Sequence, residues 1–169
     1  MSFVPPFDPW ALGASLYAPA TRPDLLSLGS GKYEGLGSLI YCTEDAIREE
    51  DVPRALQNLA ATLPLLPKTG GPLRFIRPRN PEVLGALLDL DLSRITGFVL
   101  PKIHDGNLGA YMALLDRHAA ATGQDRLSVL LTLETREALS EHRMGLLRDL
   151  IFQEGWQGRI GGCESAATT

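Results

Sequence analysis

The stretch Ser128 to Thr135, SVLLTLET, is a run of apolar and β-branched residues that ends in the carboxylate of Glu134. A buried strand ending in an acid can hold a metal or a proton donor at the mouth of a barrel. Four other short apolar runs end in residues able to do chemistry. ASLYAPATR ends at Arg22, SLIYCTED at Glu44 and Asp45, RFIRPRN contains Arg77, and GFVLPK ends at Lys102. A sixth, weaker run spans Arg159 to Glu164. In every case the charged or hydroxyl-bearing residues fall on the C-terminal side of the run.

Helical patterns stand between the runs. Thr21 is placed to cap a short first helix, with Asp24 three residues on and Pro23 in the first turn. Glycines at 29, 31, 35 and 37 break that helix up. Asp51 and Pro53 open a second helix with Leu56, Leu59, Ala60 and Leu63 on one face. Asn80-Pro81 opens a third, carrying Val83, Leu84, Leu87 and Leu88. A fourth, residues 108–122, places Leu108, Tyr111, Met112, Leu115 and Ala119 at helical spacing and stops at Gly123. The fifth, residues 136–154, offers Leu139, Met144, Leu147, Leu150 and Ile151. Strands therefore begin near residues 14, 38, 73, 97, 128 and 159. Residues 1–13, with three prolines and the aromatic anchors Phe3, Phe7 and Trp10, form an irregular arm before a domain over 14–169. Repeated βα units imply a parallel sheet with right-handed crossovers. A doubly wound sheet and a (β/α)8 barrel both satisfy the pattern, although a barrel normally needs about 250 residues.

The 169 residues suffice for one sizeable core, with 44% hydrophobic and 21% charged residues. A net charge of −4 without a Lys/Arg cluster argues against nucleic acid. No apolar run approaches the ~20 residues that span a bilayer, and no secretory leader pattern opens the chain. Two cysteines, Cys42 and Cys163, suit a reducing cytoplasm.

Taken in order, SLYAPATRPDLL, SLIYCTEDAIREEDVPRAL, FIRPRN, GFVLPKI and LLTLET resemble the strand-end motifs of the HpcH/HpaI aldolase and citrate lyase β-subunit family. The resemblance runs from about Ala14 to Gly162. It implies a TIM barrel, here accounting for five to six of the βα units, because the matching motifs stop after strand 6. It also implies an enzyme that makes or breaks a carbon–carbon bond next to a carbonyl, usually with Mg²⁺. The substrate would be a small keto or hydroxy acid or an acyl-CoA thioester, and the assembly a homo-oligomer. Residue by residue, Glu134 falls on the family's metal-binding glutamate. Glu164 takes the place of the aspartate that is the second ligand, with Cys163 before it. Arg77 falls on the strand-3 arginine that contacts the substrate oxygens. Glu44 and Asp45 match the acidic pair after strand 2, and Lys102 the strand-4 lysine. The resemblance thus makes Arg77, Glu44 and Lys102 the catalytic groups and Arg22, Arg77 and Asp45 the substrate contacts. Cys42 stands where an acidic residue often opens the strand-2 motif.

Such chemistry generates an enolate, whose charge must be met by groups already in place. A Mg²⁺ held by two carboxylates leaves positions for water and a keto acid and polarises the carbonyl. A guanidinium forks onto a carboxylate as an ammonium cannot. Each residue also has a plainer reading. Glu134 could be a rim carboxylate, Arg77 and Arg79 could pair with Glu44 and Asp45 across the mouth, and Lys102 could partner an acid. Asp24, Asp51 and Asn80 read as helix caps, and Cys42 as a small buried hydrophobe. His104, His118 and His142 are not spaced as a metal set. The alternative function is a non-catalytic partial barrel serving as an assembly or binding module.

Overall fold

The computed structural model describes residues 7–123 and 127–164, the side chain of Glu164 excepted. Six strands, β1 (Ala14–Pro19), β2 (Leu36–Cys42), β3 (Leu73–Arg77), β4 (Gly97–Leu100), β5 (Ser128–Thr132) and β6 (Ile160–Glu164), form one sheet in sequence order. All five pairings are parallel. The order never reverses, which excludes the doubly wound alternative. Among the described residues the sheet is not closed, and β1 and β6 each pair on one side only.

Period-two alternation sorts the strand residues onto two faces. Leu39, Tyr41, Ile76, Phe98, Leu100, Val129 and Leu131 pack into the helix layer, which is the main core. Ile40, Phe75, Val99 and Leu130, one from each of four neighbouring strands, make a second cluster on the other face. The helices are α1 (Leu25–Gly29), α2 (Val52–Thr62), α3 (Pro81–Leu88), α4 (Leu108–Thr122) and α5 (Glu141–Gln153). In α3 the four expected apolar residues are buried, and the Asn80 side chain accepts the Val83 N–H at 2.8 Å. Helix α4 ends at Gly123 in the left-handed conformation, as expected.

Three expectations need correction. Helix α1 starts at Leu25, after Asp24 and not after Thr21, and the Asp24 side chain caps nothing. In α2 the buried face is Val52, Ala55 and Leu59, while Ala60 is exposed. The helix after β5 is two pieces, a 3₁₀ turn over Arg136–Leu139 and then α5. Ser140 separates them with extended φ/ψ, and its hydroxyl accepts the Arg143 N–H. An N-cap cannot lie inside a continuous helix, so Leu139 is turned out and is 89% exposed.

In the arm, Asp8 caps a 3₁₀ turn over Pro9–Leu12. Phe7 packs edge-to-face on Phe75, with centroids 5.7 Å apart, and Leu12 joins the same cluster. Phe7 also fills the space left by Gly161, where a Cβ would come within 2.5 Å of its ring. Phe7 is thus an anchor, whereas Trp10 is 90% exposed and Phe3 lies outside the described residues. Cys42 is buried, as expected, and both cysteines are free. Among the described residues no helix is long and apolar enough to cross a membrane.

Candidate active site

The C-terminal ends of β2 to β5 bring five of the expected residues together, Glu44, Asp45, Arg77, Lys102 and Glu134. Arg77, the last residue of β3, follows Phe75 on the inward face, and its side chain is 8% exposed. Its Nε donates to Glu44 Oε2 at 3.0 Å and its Nη2 to Glu134 Oε1 at 2.6 Å. Asp45 Oδ2 lies 3.8 Å from the same Nη2. The Tyr17 ring, on β1, faces the guanidinium with its centroid 5.8 Å away. Burial works to lower the Arg77 pKa, but Glu44, Glu134 and Tyr17 outweigh it and hold the pKa above its ordinary value.

Glu44 is 4% exposed, and each of its oxygens is occupied. Oε2 takes Arg77 and the Asp45 N–H, and Oε1 takes the Lys102 ammonium. Lys102 also reaches Asp45 Oδ1 at 3.0 Å. Glu44 first, and Asp45 with it, raises the Lys102 pKa. For Asp45, partial burial pushes upward, but the bond from Lys102 and the surrounding charges hold its carboxyl below the usual range.

Lys102 adopts φ 54°, in the left-handed region that residues with a Cβ rarely occupy. Such a backbone costs about 1–3 kcal/mol and persists where its surroundings fix it. Here the Lys102 N–H donates to Glu134 Oε1 at 3.3 Å, and Asn107 Nδ2 donates to the Lys102 carbonyl at 2.9 Å. Asn107 Oδ1 accepts the His104 N–H, so one amide pins both ends of the turn. Tyr111, on α4, is buried among these charges, and burial first, then Glu44, raises its pKa to about 12.

Glu134 lies two residues beyond β5 with its side chain 17% exposed. Both of its bonds within the cluster go to Oε1, which leaves Oε2 without a hydrogen bond among the described residues. Arg22 stands outside the cluster. It follows β1, but its guanidinium forks onto Asp24 at 2.8 and 2.9 Å, and Asp24 also takes Lys32. Glu164 ends β6 in register with Thr132, and its side chain lies outside the described residues. Tyr17, Asn107 and Tyr111 escaped the sequence reading as site residues. Only the inward phase of Tyr17 on its strand gave any signal.

A family model for carbon–carbon bond lyases of the TIM-barrel fold matches residues 6–162. The chain belongs to this family. No curated protein matches it. Among solved structures it is similar to Haloferax volcanii malate synthase with glyoxylate, at 17% identity and a TM-score of 0.70, over 90% of this chain and 50% of that one. The magnesium/glyoxylate complex of that enzyme gives 17% and 0.66 over 86% and 48%, and its lead(II) complex 18% and 0.69 over 92% and 50%. The chain spans about half the length of these structures, and at such identities the likeness establishes a shared fold. The α/β architecture is therefore of the TIM-barrel type, with six strands and an open sheet.

Among the described residues no three His, Cys, Asp or Glu side chains are grouped to hold a metal ion. Mg²⁺ does not require such a cage, since one or two carboxylates with water and substrate oxygens complete its shell. The ion-paired side chains at the mouth are three carboxylates, Glu44, Asp45 and Glu134, and two cations, Arg77 and Lys102. Arg79 adds a third cation at the same edge, its guanidinium donating to the carbonyls of Glu44 and Ile47. Glu134 Oε1 is held by Arg77 and the Lys102 N–H, so Oε2, which takes no hydrogen bond among the described residues, is the oxygen a Mg²⁺ would meet.

Proposed function

We propose that the C-terminal mouth of the sheet is the site of a Mg²⁺-dependent carbon–carbon lyase or aldolase. Its substrate would be a keto or hydroxy acid or the acyl-CoA thioester of one, as in citrate lyase β-subunits and malyl-CoA lyases. The carrying observation is the buried Arg77 guanidinium held by Glu44 and joined to Glu134, whose second oxygen is free. Membership of the lyase family supports the reaction class. The neighbouring malate synthase, solved with magnesium and glyoxylate, supports a small oxo acid as the ligand.

In the cleavage direction a hydroxyl loses its proton and becomes a carbonyl as the adjacent C–C bond breaks. The bonding pair moves onto the neighbouring carbon as an enolate, which is then protonated. Glu134, and Glu164 in its family role, would hold the Mg²⁺, which supplies Lewis-acid polarisation of the carbonyl oxygen. Arg77, its Nε and Nη2 held by Glu44 and Glu134 before substrate arrives, would offer the substrate carboxylate its remaining N–H groups. Glu44 sets the position and charge of Arg77 and Lys102; with both oxygens occupied it takes no proton from substrate. Asp45, two-thirds exposed and held ionised, accepts the substrate hydroxyl bond. Lys102 stands beside it as the proton donor. Arg22, bound to Asp24, has no part in this arrangement. The reading places the enzyme in the cytoplasm as a homo-oligomer.

One observation favours the assembly-module reading, since a purely structural rim network would also tie Glu44 and Glu134 to Arg77. Turnover separates the two. A panel of malate, citramalate and their CoA thioesters should release a free oxo acid only with Mg²⁺ present. Arg77→Lys should retain Mg²⁺ binding and lose about tenfold or more in kcat/KM, because the fork is lost. No release by the wild type from any panel member would leave the lyase reading without support and favour the module.

A further inference from the structure

At the opposite end of the sheet, the N-terminal ends of β3, β4 and β5 border a cavity of about 420 Å³. Three of the residues lining it are cationic, Lys68, Arg74 and Arg94, and none is acidic. That is unexpected in a chain of net charge −4. Arg74 forms the inner wall and is 6% exposed. Its guanidinium meets only carbonyl oxygens. Nε donates to Gly29 O at 2.7 Å, Nη2 to Gly70 O at 2.7 Å, and Nη1 to Pro67 O at 3.2 Å and Arg94 O at 3.5 Å. Carbonyl dipoles fix the group in place but leave its charge without a counter-ion. Burial lowers the Arg74 pKa, and the Arg94 guanidinium lowers it further against the opposing effect of Tyr41.

Arg94 adds a second signal. Its Nη1 is buried and has no hydrogen-bond partner. A guanidinium nitrogen shielded from water and unpartnered is costly, and a bound oxygen acceptor removes the penalty. The nearest carboxylate in sequence, Asp91, accepts from the Ser93 N–H; it feels the Arg94 charge but makes no ion pair with it among the described residues and lies outside the lining. The Lys68 side chain, by contrast, is exposed at the rim. A fixed buried cation, a second guanidinium with an unpartnered nitrogen and an exposed ammonium together make a receptor for a tetrahedral polyanion.

We infer that this cavity between the N-terminal ends of β3 to β5 binds the phosphate group of a small molecule, with Arg94 and Lys68 contacting it and Arg74 supplying fixed positive potential. The site lies across the sheet from the Glu134 cluster and stands or falls independently of it. Its volume exceeds that of a bare phosphate, so an organic portion can also be accommodated.

The test is calorimetric titration of the full chain with inorganic phosphate and with a ribose phosphate, at low and at moderate salt. Binding should weaken as salt rises. Arg94→Gln and Lys68→Gln should each weaken it by about tenfold, as expected on losing a charge-assisted contact. Both variants should keep the wild-type circular dichroism and Mg²⁺ response, since neither side chain packs in the core. Tighter binding of the ribose phosphate assigns the ligand to an organic phosphate, and equal binding assigns it to free phosphate. No binding of either probe, or unchanged affinity in both variants, overturns the inference.

Discussion

Replacing Arg77 by leucine removes the guanidinium that binds both Glu44 and Glu134, and leaves Glu44 4% exposed with only the Lys102 ammonium opposite. Breaking a buried pair from one side typically costs about 3–5 kcal/mol, so Arg77→Leu should lower unfolding free energy by about that amount in urea. A loss below about 1 kcal/mol would mean that the pair is effectively solvated. The acid limb of stability should report Asp45. Its folded pKa lies below its unfolded value, so its contribution is complete above about pH 4 and is lost as pH falls through the folded pKa. Tm should therefore fall on acidification below about pH 4, and Asp45→Asn should flatten that slope. The residues of this cluster were legible because each ends an apolar run. Arg22 also ends one but stands apart from the cluster, since Asp24 two residues on offers a local bidentate partner that pattern does not weigh against a distant site. Asn107 gave no signal, because its role depends on the left-handed Lys102 that only the folded turn reveals.

Among the elements, the strands were the most legible and the helix starts the least. Buried strands carry continuous apolar runs bounded by polar residues, so five of the six begin within a residue of the expected position. The break at Ser140 was not visible, because Leu139 continues the helical spacing and only cap geometry rules it out. Asn80 was legible as a cap and performs as one. Asn80→Ala should cost about 1 kcal/mol, read as a Tm decrease of a few degrees for a chain of this size. Gly97 gives a sharper prediction. It opens β4 so close to β5 that an added Cβ would sit 1.9 Å from the Ser128 carbonyl oxygen. Backbone cannot yield as a side chain can, so Gly97→Ala should destabilise by about 1–3 kcal/mol or more, measured by the urea midpoint. An unchanged midpoint would mean that β4 and β5 are not paired as described.

At the scale of the whole molecule, strand order decides what the site can be. Six parallel strands in sequence put every C-terminal end on one rim, which is why Arg77, Glu44, Lys102 and Glu134 meet although up to 90 residues separate them in the chain. The βα pattern alone could not choose between a barrel arc and a doubly wound sheet, because both repeat such units; the ordered strand-end motifs favoured the barrel, and the strand order agrees. The edges at β1 and β6 leave backbone groups unpaired, and Tyr17 and Tyr33 are partly exposed beside β1. We propose self-association through these edges, to be read by light scattering. A strictly monomeric, folded species would count against it. Whether the cluster is a metal-dependent lyase site or a rim salt bridge turns on Glu134. The most direct measurement is a Mg²⁺ titration of the wild type and of Glu134→Gln, which keeps the shape and removes the charge. Saturable Mg²⁺ binding by the wild type, weakened at least about tenfold in Glu134→Gln, is the predicted result. Equal Mg²⁺ affinity in the two proteins would contradict the account.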